Sequence, residues 1–221
     1  MRDVAGSIVI ILALAVPAGV WAQRGAKSQT KGTTAAPATK AAPQQPTTDV
    51  HCAAELGAGV KSQRQFCDVF ITTEPNDSVT VTIPAHTGAA TLMFDLHPRF
   101  TVANGVVDPS QAFVRYAALV AVVRPNGQVI ERAAVAREYR TVQDLFDRIG
   151  GGPRPSGFKA VAPGQPEAIK VSVPAGLSTV GIVGVKLDAT TKEGTATHDG
   201  AGAPARPIAI VSNLRVAYTP K

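Results

Sequence analysis

Apolar and polar residues alternate one by one in several short runs of this chain. The clearest run, SVTVTIPA at residues 78–85, places Val79, Val81 and Ile83 on one side of an extended backbone. A period of two residues is the period of a β-strand that buries one face, whereas an α-helix scatters such residues around its axis. The run therefore predicts a half-buried strand.

Similar runs recur along the chain, each bounded by turn residues. Residues 90–102 place three apolar side chains on one face and Asp95 and His97 on the other; the apolar three are Leu92, Phe94 and Leu96. Residues 115–135 predict a hairpin, because Pro125-Asn126-Gly127 supplies a turn between two apolar stretches. Three more strand-like runs follow, at residues 168–175, 178–189 and 207–218.

One segment has helical spacing instead. In residues 141–149 the apolar side chains fall at i, i+3, i+4 and i+7; they are Val142, Leu145, Phe146 and Ile149. Such spacing makes one face of a helix, Thr141 is a suitable N-cap, and Gly150 is a suitable stop. The sequence therefore predicts one short helix near 141–149, packed on a sheet by its apolar face.

The predicted fold class is mainly β, an antiparallel β-sandwich with that single helix. Jelly-roll and immunoglobulin-like topologies both fit the pattern. In architecture alone, the strand, Pro-Ala turn and strand units at 78–96 and 168–187 resemble exported jelly-roll modules of the carbohydrate-binding kind. That resemblance implies sugar binding, which usually requires exposed aromatic side chains. The supply here is small, since only three Tyr and seven Phe accompany a Trp at position 21.

The first 22 residues have the features of a secretory signal peptide. An apolar run at residues 8–16 follows Arg2 and ends near Pro17, and Val20 and Ala22 suit a cleavage site before Gln23. The alternative is an uncleaved membrane anchor, although the run is short for a bilayer span. We therefore expect export to the periplasm or the extracellular space, with no transmembrane segment after cleavage.

Residues 23–48 form a second compositional region, rich in Ala, Thr, Pro, Gln and Lys. Such a segment has too little apolar surface to offset its ordering entropy, so it is predicted to be a disordered linker before a β-sandwich domain at 49–221. The linker has four basic residues and no acid, and the first 22 residues have one of each, which leaves 17 basic and 15 acidic residues in 49–221. The chain's net charge of +6 therefore belongs mostly to the linker. We expect no nucleic-acid partner, and at most weak contact of the linker with an anionic surface.

The chain has two cysteines, Cys52 and Cys67, and both follow directly on the linker. Because exported chains usually oxidise a pair of cysteines, we expect a Cys52–Cys67 disulfide rather than a metal site or a nucleophile. His51, beside the first cysteine, then has no special chemical status.

Two sets of residues suggest chemistry. Asp95 and His97 lie two apart on a strand, so one cation could bridge them, but zinc needs three or four converging ligands. The alternative interpretation is a polar pair on a solvated sheet face. Glu138, Asp144 and Asp147 could supply the acid and base of glycoside hydrolysis, which requires two carboxyls across a cleft. The alternative there is a solvated helix face.

No motif in the sequence identifies a catalytic set or a cofactor site. We therefore expect an exported, non-catalytic β-sandwich module that is a binding or structural component of the cell envelope, with no cofactor and with a protein or glycan as its partner. The competing hypotheses are a metal- or carboxylate-dependent enzyme acting on envelope polymers, and a carbohydrate-binding module. Two long Gly- and Pro-rich segments stand out, at residues 150–168 and 190–207, and the second is predicted to be disordered.

Overall fold

The computed structural model describes residues 48–99, 114–139, 144, 146–150, 158–160, 164–191, 193–200 and 206–221. Residues 1–47 lie outside this part of the chain, so the signal peptide and nearly all of the linker remain predictions. Thr48, the last residue of the predicted linker, is described, and it is buried.

The described residues form a β-sandwich of two antiparallel sheets, as the alternating runs predict. The six-stranded sheet has the order β1-β4-β11-β6-β7, and β12 pairs with β11 beside β4. Its strands are β1 Val50–His51, β4 Val79–Thr82, β6 Val114–Val123, β7 Val129–Tyr139, β11 Thr179–Thr191 and β12 Gly194–Asp199.

The five-stranded sheet has the order β10-β5-β13-β3-β2. Its strands are β2 Glu55–Ala58, β3 Gln65–Phe70, β5 His86–Pro98, β10 Glu167–Val173 and β13 Pro207–Pro220. A separate pair joins β8 Arg148–Gly150 to β9 Phe158–Ala160, and a 3-10 turn covers Pro75–Asp77.

The core lies between the two sheets and is built from the inward-facing apolar side chains of both. Strand β4 contributes Val79 and Val81, as predicted, and β5 contributes three residues that are at most 2% exposed, Leu92, Phe94 and Leu96. The β6–β7 hairpin forms around the predicted Pro-Asn-Gly turn, where Gly127 has a φ of 81° that favours glycine. The sequence pattern thus identified which residues face the core.

Two predictions about the connecting segments are wrong. The predicted helix near 141–149 does not extend to its end, because Phe146 and Asp147 are not helical and Arg148–Gly150 is strand β8; residues 141–143 and 145 lie outside the described part. The predicted disorder of residues 190–207 is contradicted at Gly194–Asp199, which pairs with β11 from Lys186 to Thr191. Hydroxyl contacts such as Thr190 to Thr195 (2.9 Å) replace apolar contacts in that hairpin.

Candidate functional site

Part of the outer face of the five-stranded sheet, which points away from the core, is covered rather than solvated. Four apolar residues form a small second core on this face, Leu56, Phe66, Ile149 and Ile210, and Phe146 packs against it. The cover is the segment Phe146–Gly150, which we call the strap. The interpretation of Asp95 and His97 as a polar pair on a solvated face is therefore wrong, since Asp95 is 9% exposed and His97 1%.

The strap is fastened to the connection between β2 and β3. The carboxylate of Asp147 accepts hydrogen bonds from the backbone amides of Lys61 (3.0 Å) and Ser62 (2.8 Å). Ile149 forms an antiparallel bridge with Gly59. Charged acceptors make strong hydrogen bonds to backbone amides, so Asp147 holds the turn and the strap together. The role of this carboxylate is structural.

Asp95 lies under the same cover and has two polar partners. The Nη1 group of Arg64 donates to Oδ2 of Asp95 in a salt bridge, and Nδ2 of Asn213 donates to the same oxygen at 3.2 Å. The Arg64 guanidinium also lies 5.7 Å from the ring centroid of Phe146, within the range of a cation–π contact. Asp95 therefore orients Arg64, and the strap contacts the other side of that arginine.

His97 is enclosed between aromatic rings. Its ring centroid lies 5.6 Å from that of Phe66 and 5.1 Å from that of Phe146. Nε2 shares a hydrogen bond of 3.2 Å with the hydroxyl of Ser212, while Nδ1 is buried without a hydrogen-bond partner. Burial first, and then the charges of Arg64 and Arg137, lower the pKa of His97 from 6.5 to about 4, while Asp147 opposes them. The imidazole is therefore neutral at pH 7.

The contact between Ser212 and His97 resembles a nucleophile beside a base, but its surroundings exclude that chemistry. Ser212 is completely buried, at 0% exposure, and His97 is almost so. A nucleophile must reach a substrate atom at about 3 Å, and no substrate can approach a side chain that is closed on every side. This pair is a buried polar contact that fixes β5 against β13.

The structure does not join Asp95 and His97 to a third metal ligand in the described residues. No group of three His, Cys, Asp or Glu side chains in this part of the chain is arranged to hold a metal ion. Asp95 is instead bound by Arg64 and Asn213, and a metal ion would have to displace the guanidinium.

The three predicted carboxylates have different surroundings. Glu138 is exposed on β7, Asp144 is partly exposed, and Asp147 is buried and bound to backbone amides. A glycosidase needs one carboxyl protonated and one ionised on opposite sides of an open cleft. Because Asp147 already holds the strap, it is not available as one of that pair.

The predicted disulfide is present and joins the two sheets. Cys52 follows β1 of the six-stranded sheet, Cys67 lies in β3 of the five-stranded sheet, and their Cα atoms are 5.6 Å apart. Cys67 is 2% exposed and packs in the main core. The bond therefore fixes the first strand of the domain to the opposite layer of the sandwich.

An open cleft of about 820 Å³ adjoins this disulfide. Its apolar lining includes Val50, both cysteines and Leu214, and its polar lining comes from β1, β2, β3 and the bulged part of β13. The ionisable residues among the polar ones are Asp49, His51, Glu55, Arg64 and Arg215. A concave site with an apolar part and a few charged groups is the usual form of a ligand site.

The wall of this cleft contains an irregular backbone. The pairing of β13 with β5 shifts between Ser212 and Arg215, and Asn213 within this bulge has a φ of 56°. Asparagine tolerates that left-handed conformation better than most residues, and bulges are frequent next to binding sites. The sequence patterns did not indicate Arg64, Asn213 or Arg215; the Asn inside a predicted strand, at SNLR, is the one signal for a bulge.

Aromatic side chains do not form an exposed platform in the described residues. The large apolar side chains that are exposed there are Val60 and Val129. A sugar-binding face needs planar rings on which a pyranose can stack. In the same residues no helix is long and apolar enough to span a membrane.

Comparisons with known proteins add little to this description. No protein-family model matches the chain, and no curated protein matches it. Among solved structures, the chain is similar to the crystal structure of the infectious bursal disease virus VP2 subviral particle, with 16% sequence identity and a TM-score of 0.21. The match covers 79% of this chain and 39% of that chain. A likeness at this TM-score establishes neither a family nor a function.

Proposed function

We propose that the protein is an exported, non-catalytic β-sandwich module that binds a protein or glycan of the cell envelope through the cleft beside the disulfide. The observation that carries the proposal is the cleft itself, which combines apolar lining with charged groups from both sheets. An inter-sheet disulfide next to it supports a periplasmic or extracellular location, because disulfides persist in oxidising compartments.

The surroundings of the chemically suggestive residues favour binding over catalysis. Asp147 holds two backbone amides, Asp95 holds an arginine and an asparagine, and His97 is neutral and enclosed. Asp95 thereby supports two residues of the cleft wall, Arg64 and Asn213, and the other two groups hold the strap and the strands beneath it. The groups that do line the cleft, such as Arg215 and Glu55, are exposed and suited to recognition.

Co-sedimentation with envelope material from the producing organism tests this function. We expect the purified protein to sediment with the insoluble envelope fraction, and Arg215→Glu to weaken that binding at least tenfold. Arg115→Glu is the matched control, because Arg115 is equally an exposed strand arginine but lies outside the cleft lining. Failure of the protein to sediment, or equal effects of the two substitutions, would contradict the proposal.

A further inference from the structure

We propose that the strap Phe146–Gly150 is an acid-released cover, which stays closed over His97 while the imidazole is neutral and opens when His97 gains a proton. The proposal goes beyond envelope binding, because it assigns the strap a conformational role that does not depend on any ligand.

The contacts of His97 make a closed strap and a charged imidazole incompatible. Phe146 of the strap and Phe66 of β3 place ring carbon on both sides of the imidazole. Ser212 contacts one ring nitrogen, and the other nitrogen has no acceptor within reach. A protonated imidazole carries two N–H donors, so the closed strap would leave one of them without an acceptor and would enclose a positive charge beside two aromatic rings.

The charges that face His97 come from four elements, and opening of the strap removes Asp147 and leaves both arginines in place, so release from burial is what drives opening. Arg64 precedes β3, Arg137 lies on β7, Asp147 lies on the strap, and Asp95 shares β5 with His97. The two arginines oppose protonation and Asp147 favours it, while Asp95 is itself paired with Arg64. After burial, the repulsion from these guanidiniums is the next cause that lowers the pKa of His97 to about 4.

The strap can open while the sandwich stays folded. Its described attachments include the two amide bonds to Asp147, the bridge from Ile149 to Gly59, the pairing of β8 with β9, and the apolar contacts of Phe146 and Ile149. Strands β5 and β13, which carry His97 and Ser212, are held separately by their own pairing and by the main core. Segments with few attachments open at lower free energy than the core that they cover.

Opening of the strap affects the cleft because it changes the contacts of Arg64. This arginine lines the cleft, and it contacts Phe146 on the strap as well as Asp95. Release of Phe146 removes one of the two contacts that orient the guanidinium. The consequence for ligand affinity rests on the proposed function, whereas the opening of the strap does not.

Amide hydrogen exchange measured by NMR between pH 7 and pH 4.5 tests the strap directly. The amides of Lys61 and Ser62 are the reporters, because their bonds to Asp147 break when the strap opens. Val180, buried in β11, is the reference for opening of the whole domain. We expect the two reporters to open at least about 100-fold more often than Val180 at pH 7. As the pH falls from 7 to 4.5 their opening constant should rise, by at most about tenfold per pH unit, since the opened state takes up one proton.

Two substitutions at one site and a matched control complete the experiment. His97→Gln and His97→Leu should each make the opening constant of the Lys61 and Ser62 amides independent of pH. The leucine variant keeps the test informative if the glutamine variant folds poorly. His51→Gln, at an exposed histidine, should retain the pH dependence. The proposal is overturned if the reporters exchange only as slowly as Val180. It is also overturned if their opening in the unsubstituted protein is independent of pH, or if both His97 variants keep its pH dependence.

Discussion

At the scale of single residues, the covered outer face depends on one position that has no side chain. Gly59 lies where a Cβ would be 2.7 Å from Oγ of Ser62, 2.8 Å from Cε2 of Phe66 and closer still to Oδ2 of Asp147. Carbon atoms do not approach other atoms so closely, so glycine is required by space rather than by backbone conformation. The strap can reach the β2–β3 connection only because this position is empty.

Gly59→Ala is therefore expected to destabilise the protein by about 2 kcal/mol, since overpacking a filled site usually costs about 1–3 kcal/mol. Urea unfolding at pH 7 measures the change. Gly200→Ala is the matched control, because the nearest atom to its added Cβ, Cγ2 of Ile71, would lie at 3.9 Å. The control should change the stability by less than about 0.5 kcal/mol, and a similar loss in both variants would argue against steric crowding at Gly59.

Single residues also show where the sequence could not be interpreted correctly. Alternation predicted that Asp95 and His97 face away from Phe94, and they do. That pattern is local, so it did not indicate that Phe146–Gly150, about 50 residues later in the chain, would cover these two side chains in the folded protein. The spacing of Phe146 and Ile149 suggested a helix, yet both side chains reach the same apolar cluster from a segment that ends in a strand. Periodicity reports which side chains are buried together, and this segment buries them without helical geometry.

At the scale of elements, β1 is a two-residue edge strand whose attachment depends on covalent chemistry. Its pairing is limited to two residues of β4, where Val50 opposes Val81 and His51 opposes Thr80. A strand this short contributes little by hydrogen bonding alone, so the Cys52–Cys67 bond to the other sheet has to hold it in place. The sequence predicted this bond from the compartment, but it did not predict that the bond crosses between sheets.

Removal of the disulfide by Cys52→Ala with Cys67→Ala is expected to cost about 3 kcal/mol, from the entropy of closing a loop with a separation of 15 residues. Denaturant unfolding with and without reductant measures the effect. The unsubstituted protein should lose stability in reductant, whereas the double variant should not respond. Two free thiols in the purified, unreduced protein, detected by alkylation and intact mass, would contradict the bond.

Truncation separates the contribution of β1 from that of the preceding chain. A chain that starts at residue 48 keeps Thr48 and β1, and it should retain its melting temperature within about 2 °C. A chain that starts at residue 52 keeps both cysteines and loses β1, so its melting temperature should fall by several degrees. Equal melting temperatures for the two truncated chains would show that β1 does not stabilise the sandwich.

At the scale of the whole molecule, the buried histidine links stability to pH. His97 has a pKa of about 4 in the folded protein and 6.5 when exposed. Between these values the unfolded chain binds a proton that the folded protein does not, so stability is complete above pH 6.5 and declines as the pH falls towards 4. The shift corresponds to about 3 kcal/mol.

Urea unfolding from pH 7 to pH 4.5 measures this decline. We expect the free energy of unfolding to fall by about 2–3 kcal/mol over that range in the unsubstituted protein. His97→Gln should make the profile nearly flat, and His51→Gln, which changes an exposed histidine, should leave it as it was. If His97→Gln leaves the dependence of the unfolding free energy on pH unchanged, a group other than His97 causes that dependence.

The order of strands in the five-stranded sheet also has a consequence for how the chain matures. Strand β13 is the last of the described strands along the chain, yet it lies in the centre of its sheet, between β5 and β3. While the chain emerges with its N-terminus first, β3 can pair with β2 and β5 with β10, but the edges of β3 and β5 that face β13 have no partner until residues 207–220 arrive. The two halves of this sheet therefore join late, through contacts that are distant in sequence. Until then the unpaired edges of β3 and β5 can associate with other unfolded chains, which a holding chaperone would prevent.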